Sequence, residues 1–207
     1  MPARPSASQS SRPAPASRSR RSRTSSRRVV VRDATPADAE AILRVRTRTW
    51  QAAYAHVFPR EQLDAMSEDS RADEWTSWWR GVIESPASRS HMLVVDESGE
   101  VVAFAHHGAE RSDESVGELY AIYVQPESWG FGIGRALMDE VLSRLRDEGF
   151  REAVLWVLED NPRTRRFYEL AGWREDGGVK DEEWLGTLVR EVRYRTALHA
   201  SGARGQL

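Results

Sequence analysis

A glycine-rich stretch between two apolar runs constrains this chain more than any other feature. Residues 124–137 read Val-Gln-Pro-Glu-Ser-Trp-Gly-Phe-Gly-Ile-Gly-Arg-Ala-Leu, with Gly130, Gly132 and Gly134 at alternate positions. Glycine adopts positive φ and has no Cβ, so several backbone N–H groups can converge on one anion, and a following helix adds its positive end. The pattern predicts a phosphate-binding turn rather than a plain strand-to-helix connector.

The residues on either side of this turn predict a βαβ unit that is neither a Rossmann dinucleotide site nor a Walker loop. The dinucleotide fingerprint requires glycine where Arg135 stands, and no Gly-Lys-Ser/Thr follows as in a Walker loop. Residues 118–124 are rich in aromatic and branched side chains without polar alternation, as in a strand covered on both faces. Apolar residues at helical spacing follow, Gly149 is the expected helix end, and residues 153–158 predict a parallel strand.

The run from Glu118 to Trp173 resembles the core of the GNAT N-acetyltransferase superfamily, whose members move an acetyl group from acetyl-CoA to an amine. Three motifs carry the resemblance in the family's order: Val-x-Pro at 124–126, Gly-x-Gly-x-Gly-Arg-Ala-Leu at 130–137, and Asn-x-x-x-x-x-Phe-Tyr-x-x-x-Gly-Trp at 161–173. The resemblance implies an α/β (α+β mixed sheet) fold. A central, mostly antiparallel twisted sheet would contain a parallel, splayed pair formed by its fourth and fifth strands, with flanking helices.

The resemblance also implies where acetyl-CoA binds. A backbone N–H at Tyr123 or Val124 would stabilise the oxyanion, the turn would hold the pyrophosphate, and Asn161 would cap the next helix and contact the pantetheine arm. Trp129 stands where the family often has Gln or Arg, so the pyrophosphate contact there is expected to rely on backbone. The expected cofactor-binding residues are Ile122, Tyr123, Val124, Trp129, Gly130, Phe131, Gly132, Ile133, Gly134, Arg135, Asn161 and Tyr168.

Acetyl transfer to an amine requires a base, because an unperturbed Lys-like amine has a pKa of about 10.4, and the departing thiolate benefits from a proton. The resemblance implies that Glu118 is the base, directly or through water, and that Tyr168 is the acid at the CoA sulfur. A solvated Glu118 and a Tyr168 that only packs under the pantetheine are the alternatives. His106 and His107 are further candidates for the base, since imidazole titrates near pH 6.5, although such a pair more often splits into one packed and one exposed ring.

Aromatic residues mark the expected acceptor cleft. Trp50 and Tyr54, followed by His56 and Phe58, fall where the family's first helix and its next loop line that cleft, and Trp50, Tyr54 and His106 are the expected acceptor contacts. A second aromatic group, Trp75, Trp78 and Trp79, has helical spacing, which predicts a core stripe rather than a cage for a cation.

Composition predicts three segments. Residues 1–28 contain eight arginines and no acids among Ser, Pro and Ala, which predicts a disordered extension. A targeting, nucleic-acid-binding or membrane-touching role for it is disfavoured because it lacks an apolar face. Removing those eight from 30 Lys and Arg leaves 22 against 32 Asp and Glu, so the remainder has a formal charge of −10 and favours a cationic amine. Residues 29–198 are expected to form one domain, and residues 199–207 a flexible tail.

Other expectations concern location and chemistry. No run of about 18 apolar residues and no secretory core occurs, which predicts a cytoplasmic protein without membrane or nucleic-acid partners. The absence of cysteine excludes disulfides, Cys-ligated metal and an acyl-cysteine intermediate, so we expect no metal and direct transfer in a ternary complex. A catalytically silent acyl-CoA-binding module and a transferase for a longer acyl-CoA stay open, as does a homodimer paired through the C-terminal strands.

Local patterns complete the expected secondary structure. Residues 29–32 predict a strand, and Thr35 with Pro36 predicts the start of a helix that runs through Trp50. Further expectations are a helical region at 60–83, a hairpin of residues 91–95 and 101–107, and a closing strand at 184–195.

Overall fold

The computed structural model describes residues 29–67, 69–87 and 89–199. Its strands and helices in chain order are β1 (Val29–Asp33), α1 (Ala39–Ala53), α2 (Arg60–Asp64), α3 (Asp69–Glu84), β2 (His91–Glu97), β3 (Glu100–Ala109), β4 (Gly117–Val124), α4 (Ile133–Asp147), β5 (Glu152–Leu158), α5 (Pro162–Leu170), β6 (Arg174–Trp184) and β7 (Thr187–Ala197). The expected extension at 1–28 and residues 200–207 of the expected tail lie outside the described residues. None of the helices in the described ranges is both long and apolar enough to cross a membrane.

The seven strands form one mixed sheet in the order β1-β2-β3-β4-β5-β7-β6. Every neighbouring pair is antiparallel except β4 and β5, which are parallel. Residues 117–119 of β4 pair with residues 153–155 of β5, and no pairing follows although both strands continue. The predicted mixed α/β fold with a splayed parallel pair is therefore confirmed.

A β-bulge at Tyr120 gives a physical reason for this separation. His107 pairs with Leu119 and His106 pairs with Ala121, so Tyr120 is the extra residue of β4 opposite β3. A bulge bends its strand and increases the local twist. Because pairing with β5 ends at the residue before the bulge, the remainder of β4 follows β3 and diverges from β5.

Helices cover both faces of the sheet and bury its apolar side chains. On one face, Leu137, Met138 and Val141 of α4 are fully buried and pack against the β3–β5 region. On the other face, α1 and α3 bury residues such as Ile42 and Trp79 against β2 and β3. These two layers hold β4 from both sides, so the gap beside it is bounded by well-packed elements.

Three sequence-based assignments were wrong in detail. The expected helical region 60–83 is divided into α2 and α3 by a 3₁₀ turn at Ala65–Ser67. The Trp stripe is not a core stripe, because Trp79 is buried whereas Trp75 and Trp78 are 36% and 50% exposed. The closing strand begins at Thr187 after a turn at residues 185–186, so Trp184 ends β6, a strand that was not expected.

Candidate active site

A cavity of about 750 Å³ opens where β4 and β5 separate. The walls come from residues 118–124 of β4, the glycine-rich turn, α1, α5 and strands β5 to β7, with Trp75 of α3 and Arg111 of the β3–β4 loop. The cavity therefore passes between the two helical layers. One half lies beside α4 and α5, and the other beside α1, α3 and β6.

The backbone of β4 presents free polar groups to this gap. The Gln125 N–H donates to the Val102 carbonyl at 2.9 Å, and hydrogen-bonding alternates along an antiparallel strand. Tyr123 therefore directs its N–H toward β3, whereas Ile122 and Val124 direct theirs toward the gap. Of the two oxyanion donors considered from sequence, only Val124 has the required orientation. Its carbonyl is already engaged, because the Trp129 Nε1–H and the Thr49 hydroxyl donate to it at 2.6 and 3.0 Å.

The glycine-rich turn has the conformation of an anion-binding loop. Gly130 and Gly132 both have φ of +83°, and nothing lies within 4 Å of where their Cβ atoms would be. Gly132 is the N-cap of the 15-residue helix α4, which directs its positive end to the turn. Gly134 serves packing instead, since its Cβ position is 3.5 Å from both Phe167 and Val124.

Not every residue expected to bind the cofactor lines the cavity. Ile122, Tyr123, Val124, Trp129, Arg135, Tyr168 and the three glycines do. Phe131 is 66% exposed, Ile133 is buried in the core, and Asn161 caps α5 by accepting a hydrogen bond from Thr164 N at 3.1 Å. None of these three is among the lining residues.

A cation that sequence reasoning missed stands beside the turn. The Arg163 guanidinium lies 3.9 Å from the centre of the Trp129 ring and lines the cavity together with Arg135. The Arg135 side chain donates a hydrogen bond to Asp139 at 2.9 Å, so part of its hydrogen-bonding capacity is already used. The turn, the helix end and these two arginines form a region suited to a diphosphate. Trp129 marks the site in the sequence, but nothing there indicates that Arg163 packs on it.

Tyr168 connects the cavity to the core. Its ring packs near those of Trp173 and Tyr194, and only 6% of the residue is exposed. Burial raises the pKa of the Tyr168 phenol above its usual value, so the hydroxyl is neutral and able to donate a hydrogen bond into the cavity that it lines.

Glu118 and the two histidines occupy different environments. Glu118 is partly buried and lines the cavity, and burial raises the pKa of its carboxyl while Arg111 opposes that shift. The His106 Nε2 is 2.8 Å from Ser90 Oγ, outside the cavity lining, and burial lowers the pKa of His106 to about 4. His107 is fully buried and His106 is partly buried, so one ring is packed as expected but the other is not exposed. The structure thus favours Glu118 over either histidine at this site.

Stacked aromatic rings form the wall of the other half of the cavity. Trp50 stacks on Trp184 with ring centres 5.3 Å apart, and Tyr54 meets Trp50 edge-on at 5.0 Å. Phe58 completes this cluster at 5.8 Å from Trp50. His56 is exposed and contacts the Asp160 carbonyl instead. Trp50 and Tyr54, expected to contact the acceptor, thus line the cavity, whereas His106 does not.

A group of charged side chains from β6 and β7 also lines this half. Lys180 Nζ lies 2.8 Å from Glu182 Oε1, 3.0 Å from Glu191 Oε2 and 4.7 Å from the centre of the Trp156 ring. Glu191 is 4% exposed, and burial raises the pKa of its carboxyl although Lys180 opposes the shift. Because β6 was not expected, sequence reasoning could not place these residues in the site.

The sequence matches the acetyltransferase (GNAT) family over residues 44–173, more than half of the chain. The chain belongs to this family. The match covers β4, the glycine-rich turn, α4, β5 and α5, the elements around the half of the cavity beside α4 and α5. Membership confirms the prediction of an acetyltransferase with acetyl-CoA as its co-substrate, and it leaves the acceptor undetermined.

Individual GNAT proteins resemble this chain to different extents. The N-acetyltransferase YuaI of Bacillus subtilis (strain 168) is 32% identical over 136 residues, covering 65% of this chain and 74% of YuaI. The mycothiol acetyltransferase of Actinosynnema mirum is 30% identical over 142 residues, 67% of this chain, which spans only 43% of that protein. The crystal structure of the PaiA N-acetyltransferase of Thermoplasma acidophilum in complex with coenzyme A has a TM-score of 0.64 at 17% identity, covering 82% of this chain and 99% of PaiA.

Proposed function

We propose that this protein transfers the acetyl group of acetyl-CoA directly to a primary amine, with both substrates bound in one ternary complex. The main support is that the part of β4 without a β5 partner leads directly into the glycine-rich turn. A donor bound by its diphosphate at the turn would extend along β4 into the gap. Acetyl-CoA supplies an activated acyl group whose C–S bond breaks as the amine forms the new C–N bond.

In the half of the cavity beside α4 and α5, which we name the cofactor half, each residue has a separate role. The backbone N–H groups of the turn, the positive end of α4 and the guanidinium groups of Arg135 and Arg163 bind the diphosphate. The N–H of Val124 donates to the carbonyl oxygen, which gains negative charge as the amine attacks. Tyr168 donates its proton, or a hydrogen bond, to the departing sulfur.

The amine has to lose a proton before it attacks, and Glu118 accepts it, directly or through water. Glu118 shares the cavity with the aromatic wall of Trp50 and Tyr54, so an amine held between them would lie within the same enclosed space. The raised pKa of Glu118 brings the carboxylate closer to the basicity that a general base requires. The cysteine-free sequence offers no acyl-cysteine route, which supports direct transfer.

The deciding experiment measures thiol release from acetyl-CoA and from succinyl-CoA against a panel of amines, and calorimetry compares the binding of both thioesters with that of free CoA. Amine-dependent release with acetyl-CoA supports the proposal, and preferential release with succinyl-CoA would indicate a longer-chain acyltransferase. Calorimetric binding of acetyl-CoA without turnover of any amine would indicate a silent binding module and contradict the proposal.

Two wider expectations stay predictions. The reaction is expected in the cytoplasm, where acetyl-CoA is available. Pairing of two copies through β6 and β7 would extend the sheet at the β6 edge, and light scattering of the purified full chain would detect such a dimer.

A further inference from the structure

Arg46 of α1 is a cation without a counter-charge in the half of the cavity beside α1, α3 and β6, which we name the acceptor half. Its guanidinium carbon lies 4.7 Å from the centre of the Trp50 ring and 4.8 Å from that of Trp75, and the side chain lines the cavity. Among the residues that the structure describes, no carboxylate forms an ion pair with it, and it donates no hydrogen bond. Its N–H donors are therefore available to a ligand.

The other charges in this half differ from Arg46. Lys180 is held by Glu182 and Glu191, and Arg111 lies near enough to Glu118 to lower the pKa of that carboxyl. The negative groups are thus on β4, β6 and β7, whereas the unpaired positive group is on α1. A ligand that spans the cavity meets carboxylates at one end and a guanidinium at the other.

Burial makes the unpaired charge costly. Partial burial lowers the pKa of the Arg46 guanidinium, because removal from water disfavours the charged form. The two indole rings recover part of this cost through cation–π contacts. An anion from a ligand would compensate the remainder, and a planar carboxylate matches the fork of N–H donors of a guanidinium.

The position of Arg46 argues against a role with the phosphates of acetyl-CoA. Arg46 packs between α1 and α3, on the face of the sheet opposite α4. The turn that would hold the diphosphate begins α4. The anion that Arg46 recognises therefore belongs to the acceptor.

We propose that the acceptor is an amine that also carries a carboxylate, with Arg46 binding the carboxylate while the amine lies toward Glu118. This inference rests on the proposed acetyltransferase function and adds a substrate class to it. The exposed face of Trp75 beside Arg46 provides an apolar surface for the part of the acceptor next to its carboxylate. The proposed acceptor keeps the cationic amine that the net charge favours and adds a carboxylate to it.

The experiment compares matched amines that differ only in the carboxylate: glycine with methylamine, β-alanine with ethylamine, 4-aminobutyrate with propylamine and phenylalanine with phenethylamine. We expect the carboxylate to raise kcat/KM through KM in the best-fitting pair, by about tenfold to a hundredfold for one charge-assisted bidentate contact. Phosphoethanolamine serves as a separate arm, and a stronger response to it than to any amino acid would overturn the carboxylate assignment.

Variants of one helix identify the residue responsible. Arg46→Met should bring the ratio of kcat/KM within the best pair close to one, and Arg46→Lys should restore part of it because ammonium lacks the bidentate fork. Arg44→Met removes the same charge from an exposed position of α1 outside the cavity lining, and it should retain the wild-type ratio. Thermal unfolding of each variant checks that the fold is kept.

The outcomes separate this inference from the function on which it rests. Turnover of amines with no preference for carboxylates, or a preference that Arg46→Met retains, overturns the role of Arg46 and leaves the acetyltransferase intact. If no amine is turned over, calorimetric titration of CoA-loaded protein with the same amino acids still tests the contact. Equal affinities for wild type and Arg46→Met in that titration would overturn it.

Discussion

Replacing Lys180 by methionine tests whether the charged group of the acceptor half is held together by a buried ion pair. Lys180 is the only lysine of the chain, and its ammonium stands between Glu182 and Glu191. Methionine keeps much of the apolar stem but leaves Glu191, whose side chain is 5% exposed, without its positive partner. Glu182 is 46% exposed and can turn to water.

The expected loss follows from the unequal exposure of the two partners. Breaking a fully buried ion pair costs about 3–5 kcal/mol, because an uncompensated charge remains inside. The Lys180 side chain is 34% exposed, so water screens the pair, and we discount the loss to about 2 kcal/mol at neutral pH. For a domain of this size, a loss of about 2 kcal/mol corresponds to a fall in Tm of about 4–8 °C.

The pH dependence distinguishes this cause from lost packing. The Glu191 carboxyl has a raised pKa in the folded protein, and removal of Lys180 raises it further. A group whose folded pKa exceeds its unfolded pKa contributes stability below the unfolded value and loses it as pH rises through the folded value. The difference between wild type and Lys180→Met should therefore be large at pH 7 and shrink toward pH 4, where Glu191 is protonated.

Urea unfolding followed by circular dichroism at several pH values measures this difference. Arg190→Met is the matched control, since Arg190 pairs with Asp181 on the same two strands, one residue away, with both side chains about half exposed. It should cost much less stability than Lys180→Met, because water screens an exposed ion pair. Adding Glu191→Gln to Lys180→Met should recover stability, because the buried charge is removed. A loss in Lys180→Met equal to that in Arg190→Met, or one that persists unchanged at pH 4, would refute this reasoning.

Three further changes test the proposed mechanism. Gly132→Glu should weaken acetyl-CoA binding in calorimetry by more than about a hundredfold, because a carboxylate would enter the anion site and a side chain at φ +83° is strained. The control is Gly99→Glu in the hairpin turn, which is also at positive φ. Unaltered affinity in Gly132→Glu would show that the turn does not bind the phosphates. Tyr168→Phe should lower kcat by about tenfold to a hundredfold with little effect on acetyl-CoA affinity, since general acids contribute roughly that much or more; an unchanged kcat would reduce Tyr168 to a packing role. Wild-type kcat/KM should fall as pH decreases through the raised pKa of Glu118, because this carboxyl must be ionised to accept a proton. The same decrease at low pH in Glu118→Gln would show that another group is the base. Ser90→Ala, which alters only the partner of His106, should leave the pH profile unchanged.

The cofactor half of the site could be predicted because its determinants are local in sequence. Residues 117–149 form a strand, a glycine turn and a helix, and each has its own pattern: an apolar run, alternate glycines and helical spacing ended by Gly149. The positive φ at Gly130, Gly132 and Gly149 agrees with the reading of those glycines. Local sequence marks the turn and the ends of the helix, so both could be recognised before their packing partners were known.

Strand β6 could not be predicted because its own residues do not favour a strand. It contains two glycines and several acids, which are typical of a loop. Its strand conformation depends on β7, whose arginines pair with those acids: Arg190 with Asp181, and Arg193 and Arg195 with Asp176. Such complementarity exists only once the two strands are in register, and a single segment does not reveal it.

The same argument explains why most residues of the acceptor half could not be predicted from the sequence. Arg46 and Trp75 are on separate helices, and Lys180 meets Glu191 through the pairing of β6 with β7. What brings these groups to one cavity is the bulge at Tyr120, because the bend that it introduces separates β4 from β5 and opens the interior to side chains from both helical layers. A bulge is a property of two paired strands, so the sequence around Tyr120 does not indicate that the cavity opens there. In the proposed function, the acceptor therefore meets groups that long-range pairing brings together, whereas the diphosphate of acetyl-CoA binds at a turn that can be recognised directly in the sequence.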